Sequence, residues 1–100
     1  MRNSADVSER AELHEEKGNY LEAERLYKKA LLLKSKESGE TPELAPYLYN
    51  LGMSQYVNDH YDDALNSFHR LLDLLFLQQV FDTRFKECEH IRFNILKITF

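Results

Sequence analysis

The chain has 100 residues, a formal net charge of −4 and a single cysteine, so it can form one domain at most and no internal disulfide. Nucleic acid and membranes are not indicated as partners: the balance is acidic, and the densest apolar run, LLDLLFLQQVF, is too short and too interrupted to span a bilayer. The polar start MRNSADVSER is unlike a signal peptide, and with the lone cysteine it favours a cytoplasmic protein.

Glycine and proline are scarce, and neither occurs beyond Gly52. A many-stranded fold needs such residues at its turns, so the sequence predicts an all-α fold. Periodicity places five helices in chain order. Their expected bounds are about residues 5–17, 20–36, 42–57, 61–78 and 83–98.

The first two helices are predicted to pair. Ser4 can cap the first helix, and Gly18 can end it. The second helix carries an aromatic, a small residue three positions on and an aromatic four positions further, which places all three on one face. Small residues there let a neighbouring helix come close. This stripe consists of Tyr20, Ala23, Tyr27 and Ala30, with Leu31 beside it.

The third helix follows a join that contains Gly39. Thr41 can cap this helix with Pro42 at its first position, and Pro46 predicts either a kink or a delayed start. Gly52 lies inside the helix, where glycine costs about 1 kcal/mol relative to alanine. We therefore expect a partner helix to approach closely at Gly52.

The fourth helix repeats the stripe of the second after 41 residues, with Tyr61, Ala64, Phe68, Leu71 and Leu72. A period of 20–50 residues is typical of solenoids built from helix pairs. The expected organisation is a single domain over residues 1–100. It comprises repeat one at about 5–36, repeat two at about 42–78 and a C-terminal capping helix at about 83–98.

These motifs resemble the tetratricopeptide repeat, whose pattern is W-x2-L-G-x2-Y, then A-x3-F, then P. Leu51-Gly52 and the Ala64/Phe68 pair match it, whereas the Trp, Tyr and Pro positions of repeat two differ. The stretch AERLYKKALLLKSKESGETPELAPYLYNLG is similar to the longer repeats of the kinesin-light-chain type. The resemblance covers residues 5–78 and implies a non-enzymatic module that binds a peptide or partner helix in a concave groove.

The resemblance implies that the first helix of each pair lines this groove. In repeat two it implies a contribution from Tyr49, Asn50, Met53 and Tyr56, with Asn50 pairing with the ligand backbone. Alternatively, Met53 and Tyr56 belong to the core, and Asn50 caps a helix or faces water. In repeat one the corresponding face is acidic and includes Glu9, Glu12 and Glu16. Such a face indicates a basic or amphipathic partner or, alternatively, a solvated terminal surface.

Enzymatic chemistry has little support in the sequence. No glycine-rich phosphate loop and no serine–histidine–aspartate set can be argued, so we expect no enzyme, no cofactor and no metal. Cys88 and His90 are too few to make a metal site, and Cys88 falls on an apolar helix face.

The last segment, DTRFKECEHIRFNILKITF, is apolar around more of the helix than a cap requires. One side of this segment can pack on the helix of residues 61–78, which would leave Phe93, Leu96 and Phe100 exposed to water. The second functional hypothesis is therefore a structural subunit that self-associates through these residues, most simply as a homodimer. The alternatives are a fragment that lacks its next helix, or frayed final residues.

Overall fold

The computed structural model describes the backbone of residues 3–86 and the side chains of residues 3–80. It confirms the all-α prediction, with four helices and one 3₁₀ turn in this part of the chain. They pack as two pairs, α1 with α2 and α3 with α4, and α2 also packs against α3 to join the pairs. The elements are α1 Ser4–Glu16, α2 Tyr20–Ser38, the 3₁₀ turn Pro42–Leu44, α3 Ala45–Val57 and α4 Tyr61–Lys86.

The turns inside the two pairs share most of their backbone hydrogen bonds. Gly18 in the first turn and Asp59 in the second, 41 residues apart, both adopt positive φ, at 82° and 64°. The amide after each one donates to a carbonyl five residues back, from Asn19 to His14 and from His60 to Gln55, both at 2.8 Å. The 41-residue register read from the sequence is therefore a structural repeat, at the level of the backbone as well as the side chains.

One continuous core joins the two repeats. Ala23 and Ala30 of α2 are fully buried with Tyr27 between them, as the stripe predicted, and Leu44 and Leu48 of repeat two pack into the same cluster. The outer members of the stripes behave differently, since Tyr20, Tyr61 and Leu72 are exposed.

Gly52 permits the close approach that the sequence indicated. A Cβ atom at this position would lie 2.6 Å from Cε1 of Phe68, well inside van der Waals contact. The register equivalent of Gly52 in repeat one is Ala11, which is fully buried. The second pair is therefore packed more closely at this level than an alanine would permit.

The join delays the third helix rather than kinking it. Pro42–Leu44 form a 3₁₀ turn, and α3 begins at Ala45. Pro46 lies in the first turn of α3, where a backbone N–H would have no partner within the helix, so the missing N–H of proline costs no hydrogen bond. The predicted cap at Thr41 is wrong in its chemistry, because the Thr41 hydroxyl donates to Ser38 Oγ and forms no cap bond.

The expected cap of α1 is also wrong by one residue. Asn3 is the N-cap, and its Oδ1 accepts from the amide of Asp6 at 2.9 Å. The Ser4 side chain is buried, donates to Glu37 at 3.0 Å and lies 3.2 Å from the Tyr47 hydroxyl. Ser4 thus connects α1 to α2 and α3.

The predicted interruption between residues 78 and 83 is wrong. The helix that begins at Tyr61 continues through Lys86 without a break. The physical reason is that no glycine or proline follows Gly52, so nothing ends the helix at that point. Residues 87–98 of the expected capping helix lie outside the described part of the chain.

Candidate functional site

Helix α3 presents an uncharged surface. None of its 13 residues carries a formal charge, and Tyr49, Met53, Tyr56 and Val57 are all exposed. The alternative that Met53 and Tyr56 belong to the core is therefore wrong. Tyr49 packs its ring 6.5 Å from that of Phe68, and Tyr56 packs 5.5 Å from Tyr61. The exposed rings of α3 thus continue onto α4.

The two edges of this α3 surface face different neighbours. Tyr49 and Tyr56 lie on the edge turned towards α4, as their aromatic contacts require. Asn50 is about 60° around the helix from Tyr47, whose hydroxyl meets Ser4 of α1. Asn50 is partly exposed and occupies the edge nearer to α1. Met53 falls between the two edges.

The predicted acidic face of α1 is exposed at Glu9, Glu12 and Glu16. Among the described residues, none of these three carboxylates forms an ion pair. Burial raises the pKa of Tyr27, and the nearby carboxylates of Glu15 and Glu12 raise it further. Part of the acidic row therefore lies close to the seam between α1 and α2.

No direct bond joins the acidic set to the α3 set within residues 3–80. Their sharing one concave surface stays a prediction. The helices that carry them are connected at one end, through Ser4 and Tyr47.

The sequence did not indicate a polar cluster between the repeats. Glu24 of α2 is buried, and its Oε1 accepts from Asn58 Nδ2 at 2.8 Å and lies 2.8 Å from His60 Nδ1. Asn58 also donates to the Tyr20 carbonyl at 3.0 Å. These bonds fasten the turn between α3 and α4 to α2, which is a structural role. The sequence did offer a signal for this cluster: at the position where repeat two has the apolar Leu65, repeat one has the charged Glu24.

An apolar stripe on α4 was also missed. Leu65, Leu72 and Phe76 are all exposed, and their spacing of seven and four places them on one side of the helix. Tyr61 begins the same stripe. The sequence placed Tyr61 and Leu72 in a stripe that was expected to pack, and it did not single out Leu65 or Phe76, because periodicity does not show which neighbour is present.

Sites of other kinds are limited in the described region. Within residues 3–86, no group of three histidine, cysteine or acidic side chains is placed to hold a metal ion, and no helix is both long and apolar enough to cross a membrane. Cys88, His90 and the predicted self-association residues Phe93, Leu96 and Phe100 lie outside the described residues.

Comparison with known proteins bears on both helix pairs. A family model described as "Tetratricopeptide repeat" matches residues 3–75, which include α1, α2, α3 and most of α4. No curated protein and no solved structure matches the chain. The match confirms the resemblance drawn from the repeated stripes.

Proposed function

Because the chain belongs to the tetratricopeptide-repeat family, whose members generally mediate protein–protein interactions, we propose that it binds a peptide or helix of a partner protein in a groove between α1 and α3. Repeats of this kind are typically non-enzymatic. The partner segment we propose is basic or amphipathic. The observations that support the proposal are the uncharged, exposed and partly aromatic surface of α3 and the exposed acidic face of α1, on two helices that meet at Ser4 and Tyr47.

The α3 surface suits the apolar side of such a segment. Tyrosine supplies a large rigid contact with a polar tip, and methionine adapts its shape to different side chains. Tyr49, Met53 and Tyr56 supply these contacts in the proposal. With no charge on α3, an apolar ligand surface buries no unpaired ion there.

In this proposal, Asn50 orients the bound segment. Its carboxamide both donates and accepts, so it can pair with one peptide unit of the ligand. A hydrogen bond of this kind contributes roughly 0.5–1.5 kcal/mol. Its removal should therefore weaken binding about two- to tenfold.

The acidic face of α1 supplies the preference for a basic partner. Glu9, Glu12 and Glu16 are exposed like charges on one helix, and a cationic segment would relieve their mutual repulsion. Because these groups are solvated, the attraction should fall as salt shortens the Debye length from about 10 Å at 0.1 M to about 3 Å at 1 M.

Two synthetic amphipathic peptides test the proposal, one with lysines on its polar face and one with glutamates at the same positions. We expect roughly micromolar affinity for the lysine peptide by fluorescence anisotropy, because two repeats offer a short groove. We also expect at least tenfold weaker binding of the glutamate peptide. A preference for the glutamate peptide would refute the proposal.

Matched variants locate the site. Asn50→Ala and Glu12→Gln should each weaken binding of the lysine peptide. Asn66→Ala, at an exposed asparagine of α4, and Glu43→Gln, at an exposed acid of the join, should leave it unchanged. Equal effects of Asn50→Ala and Asn66→Ala would place binding elsewhere.

A further inference from the structure

A groove between α2 and α4 combines cationic side chains with an apolar floor, and it is separate from the α3 surface. We call it the α2 groove, because five of its six lining residues belong to α2. Its volume is about 450 Å³. The lining residues are Lys28, Lys29, Leu31, Leu32 and Ser35 of α2 and Arg70 of α4.

The floor of the α2 groove is suited to an apolar side chain. Leu31 is almost completely buried, whereas Leu32 beside it is 56% exposed. The hydroxyl of Ser35 donates to the Leu32 carbonyl at 2.8 Å, so its hydrogen is already used within α2. An apolar group placed on this floor therefore leaves no side-chain donor of the floor without a partner.

The lysines of the groove are less closely paired than the other cations of α2. This helix carries five lysine or arginine residues and three glutamates, although the chain as a whole has a net charge of −4. Arg25 and Lys34 each lie within 3.2 Å of a carboxylate. Lys28 reaches the carboxylate of Glu24 only at 4.0 Å, and Lys29 forms no ion pair among the described residues. The groove thus presents two exposed positive charges that the fold leaves largely uncompensated.

Arg70 forms the opposite wall of the α2 groove and is held in place. Its Nε and Nη2 atoms donate to the carboxylate of Glu40 at 2.7 and 2.6 Å. Because Glu40 already matches the charge of Arg70, the carbon stem of this side chain contributes shape more than charge. The charge available to a ligand comes from Lys28 and Lys29.

From this combination we infer that the α2 groove binds a short acidic segment of a partner protein. An apolar side chain of the segment lies on Leu31 and Leu32, and its carboxylates lie beside Lys28 and Lys29. Charge complementarity of this kind selects partners and suppresses those of the wrong sign. Nucleic acid would match the charge, but its phosphate backbone offers no apolar group for the floor. From Lys28 to Ser35 the groove spans about 10 Å at 1.5 Å per residue, which is the length of about three extended residues.

The segment that follows α4 is a poor candidate for the same groove. Its acidic residues, Glu87 and Glu89, come within three positions of Lys86, where α4 ends. Lys86 is about 24 Å beyond Arg70 along the helix, whereas three fully extended residues span roughly 11 Å at most. The remaining charged side chains of residues 87–100 are basic. Charge complementarity therefore favours a segment of another protein.

Three capped six-residue peptides, titrated into the ¹⁵N-labelled full chain, test the inference by NMR. The first has two leucines flanked on each side by two glutamates. The second has alanines in place of the leucines, and the third has glutamines in place of the glutamates. We expect the first peptide to shift the amides of residues 28–35 with a dissociation constant of about 0.1–1 mM, because the contact is far smaller than a standard interface.

The two control peptides separate the floor from the charges. We expect the alanine peptide to bind at least fivefold more weakly and the glutamine peptide at least threefold more weakly. Equal binding of the alanine peptide would show attraction by charge alone and would overturn the inference. A groove that stays unshifted by the first peptide at 2 mM, for example because residues 87–100 fill it, would overturn it as well.

Matched variants of exposed side chains locate the site. Leu32→Ala should weaken binding of the first peptide at least threefold, whereas Leu21→Ala, at a leucine 69% exposed in the first turn of α2, should change it less than 1.5-fold. Lys29→Gln should weaken it at least twofold, whereas Lys17→Gln, at an exposed lysine before α2, should leave it unchanged. Equal effects within either pair would overturn the inference.

The inference goes beyond the proposed peptide binding, and the two can fail separately because the sites prefer opposite charges. Lys29→Gln should keep the affinity for the amphipathic lysine peptide within about twofold. Asn50→Ala should do the same for the leucine–glutamate peptide. The affinity expected at the α2 groove is at least tenfold weaker than the roughly micromolar value expected at the α3 surface, so both tests predict the same order. A leucine–glutamate peptide that loses its affinity in Asn50→Ala but not in Lys29→Gln would overturn the assignment to the α2 groove.

Discussion

The two repeats share their backbone and differ in almost every surface they show. Their turns carry nearly the same backbone hydrogen bonds, and Ala23 and Ala64 are buried at the same register position. On the outside, α1 is acidic where α3 is uncharged. Leu31 of α2 is buried, whereas its equivalent Leu72 of α4 is exposed. The repeat thus fixes the packing of each pair, and the residues outside that packing are free to specify different contacts.

The repeats also differ inside the core at one equivalent pair of positions. In repeat two, Ser67 donates to Gln55 Oε1 at 2.7 Å, and both side chains are buried. In repeat one the same positions hold Leu26 and His14. The His14 Nδ1 atom is buried and has no hydrogen-bond partner among the described residues. The same space is thus filled by a polar pair in one repeat and by a leucine in the other.

The largest effect that we predict tests this difference between the cores of the two repeats. Leu26→Ala removes one of the largest fully buried side chains and should lower the free energy of unfolding by about 2–5 kcal/mol. Ser67→Ala leaves the Gln55 oxygen unpaired and should cost about 1–2 kcal/mol. Urea denaturation with unchanged m-values measures both. A greater loss for Ser67→Ala would mean that the polar pair, and not the leucine, contributes more to the core.

The next prediction concerns the closer packing of repeat two. Gly52→Ala should destabilise by about 1–2 kcal/mol, because the clash with Phe68 outweighs the gain of about 1 kcal/mol in helix propensity. Phe68→Leu in the same chain should relieve the clash, so the double variant should lose less than the two single variants together. Additive losses in denaturant unfolding would show that the two side chains do not meet.

A smaller effect is expected at the polar cluster between the repeats. Glu24→Leu imports the residue of repeat two and leaves the amide of Asn58 and the ring of His60 without their carboxylate. We expect a net loss of about 1 kcal/mol, since the buried leucine offsets part of the lost bonds. Glu22→Leu, at a more exposed acid of the same helix, should change the unfolding free energy by less than about 0.5 kcal/mol. A stabilised Glu24→Leu chain would contradict the proposed role of the cluster.

The sequence predicted the parts of this fold that depend on periodicity and on turn residues. The pairing of α1 with α2 and of α3 with α4, the buried alanines and the close approach at Gly52 all follow from local spacing. The helix caps were harder to predict, because Asn3, Ser4 and Thr41 each carry a side-chain oxygen that can accept a hydrogen bond from a helix amide. Ser4 is drawn instead to Glu37 and Tyr47, which are distant in sequence.

Burial of whole stripes was the harder property to predict. Leu31 and Leu72 occupy the same place in the repeat, yet Leu31 is buried and Leu72 is exposed. No local pattern distinguishes them, because the difference lies in the neighbour that packs on each repeat and not in the repeat itself. The same reasoning applies to Tyr49, Asn50 and Met53, whose exposure is observed but whose ligand is a prediction.

The smallest effect concerns the join between the repeats. Glu40 comes directly after Gly39 in the join, and its carboxylate accepts two hydrogen bonds from Arg70 of α4, at 2.6 and 2.7 Å. Arg70 corresponds to Lys29 in the register, so repeat two has an arginine fork where repeat one has an ammonium. The hydrogen bonds from Arg70 are the main reason that the pKa of Glu40 is lowered from its ordinary 4.5.

This lowered pKa sets the pH dependence that we predict. The folded chain binds the Glu40 proton less readily than the unfolded chain, so the stabilisation is fully present above pH 4.5 and is lost as the pH falls through the lower folded value. Both side chains are more than one-third exposed, so we expect a coupling of about 0.2–1 kcal/mol from the cycle of Glu40→Gln and Arg70→Gln at pH 7. The coupling should fade as the pH falls below 4.5 and Glu40 becomes protonated. A coupling that persists undiminished once NMR titration shows Glu40 to be protonated would show that the charge of Glu40 does not hold the join to α4.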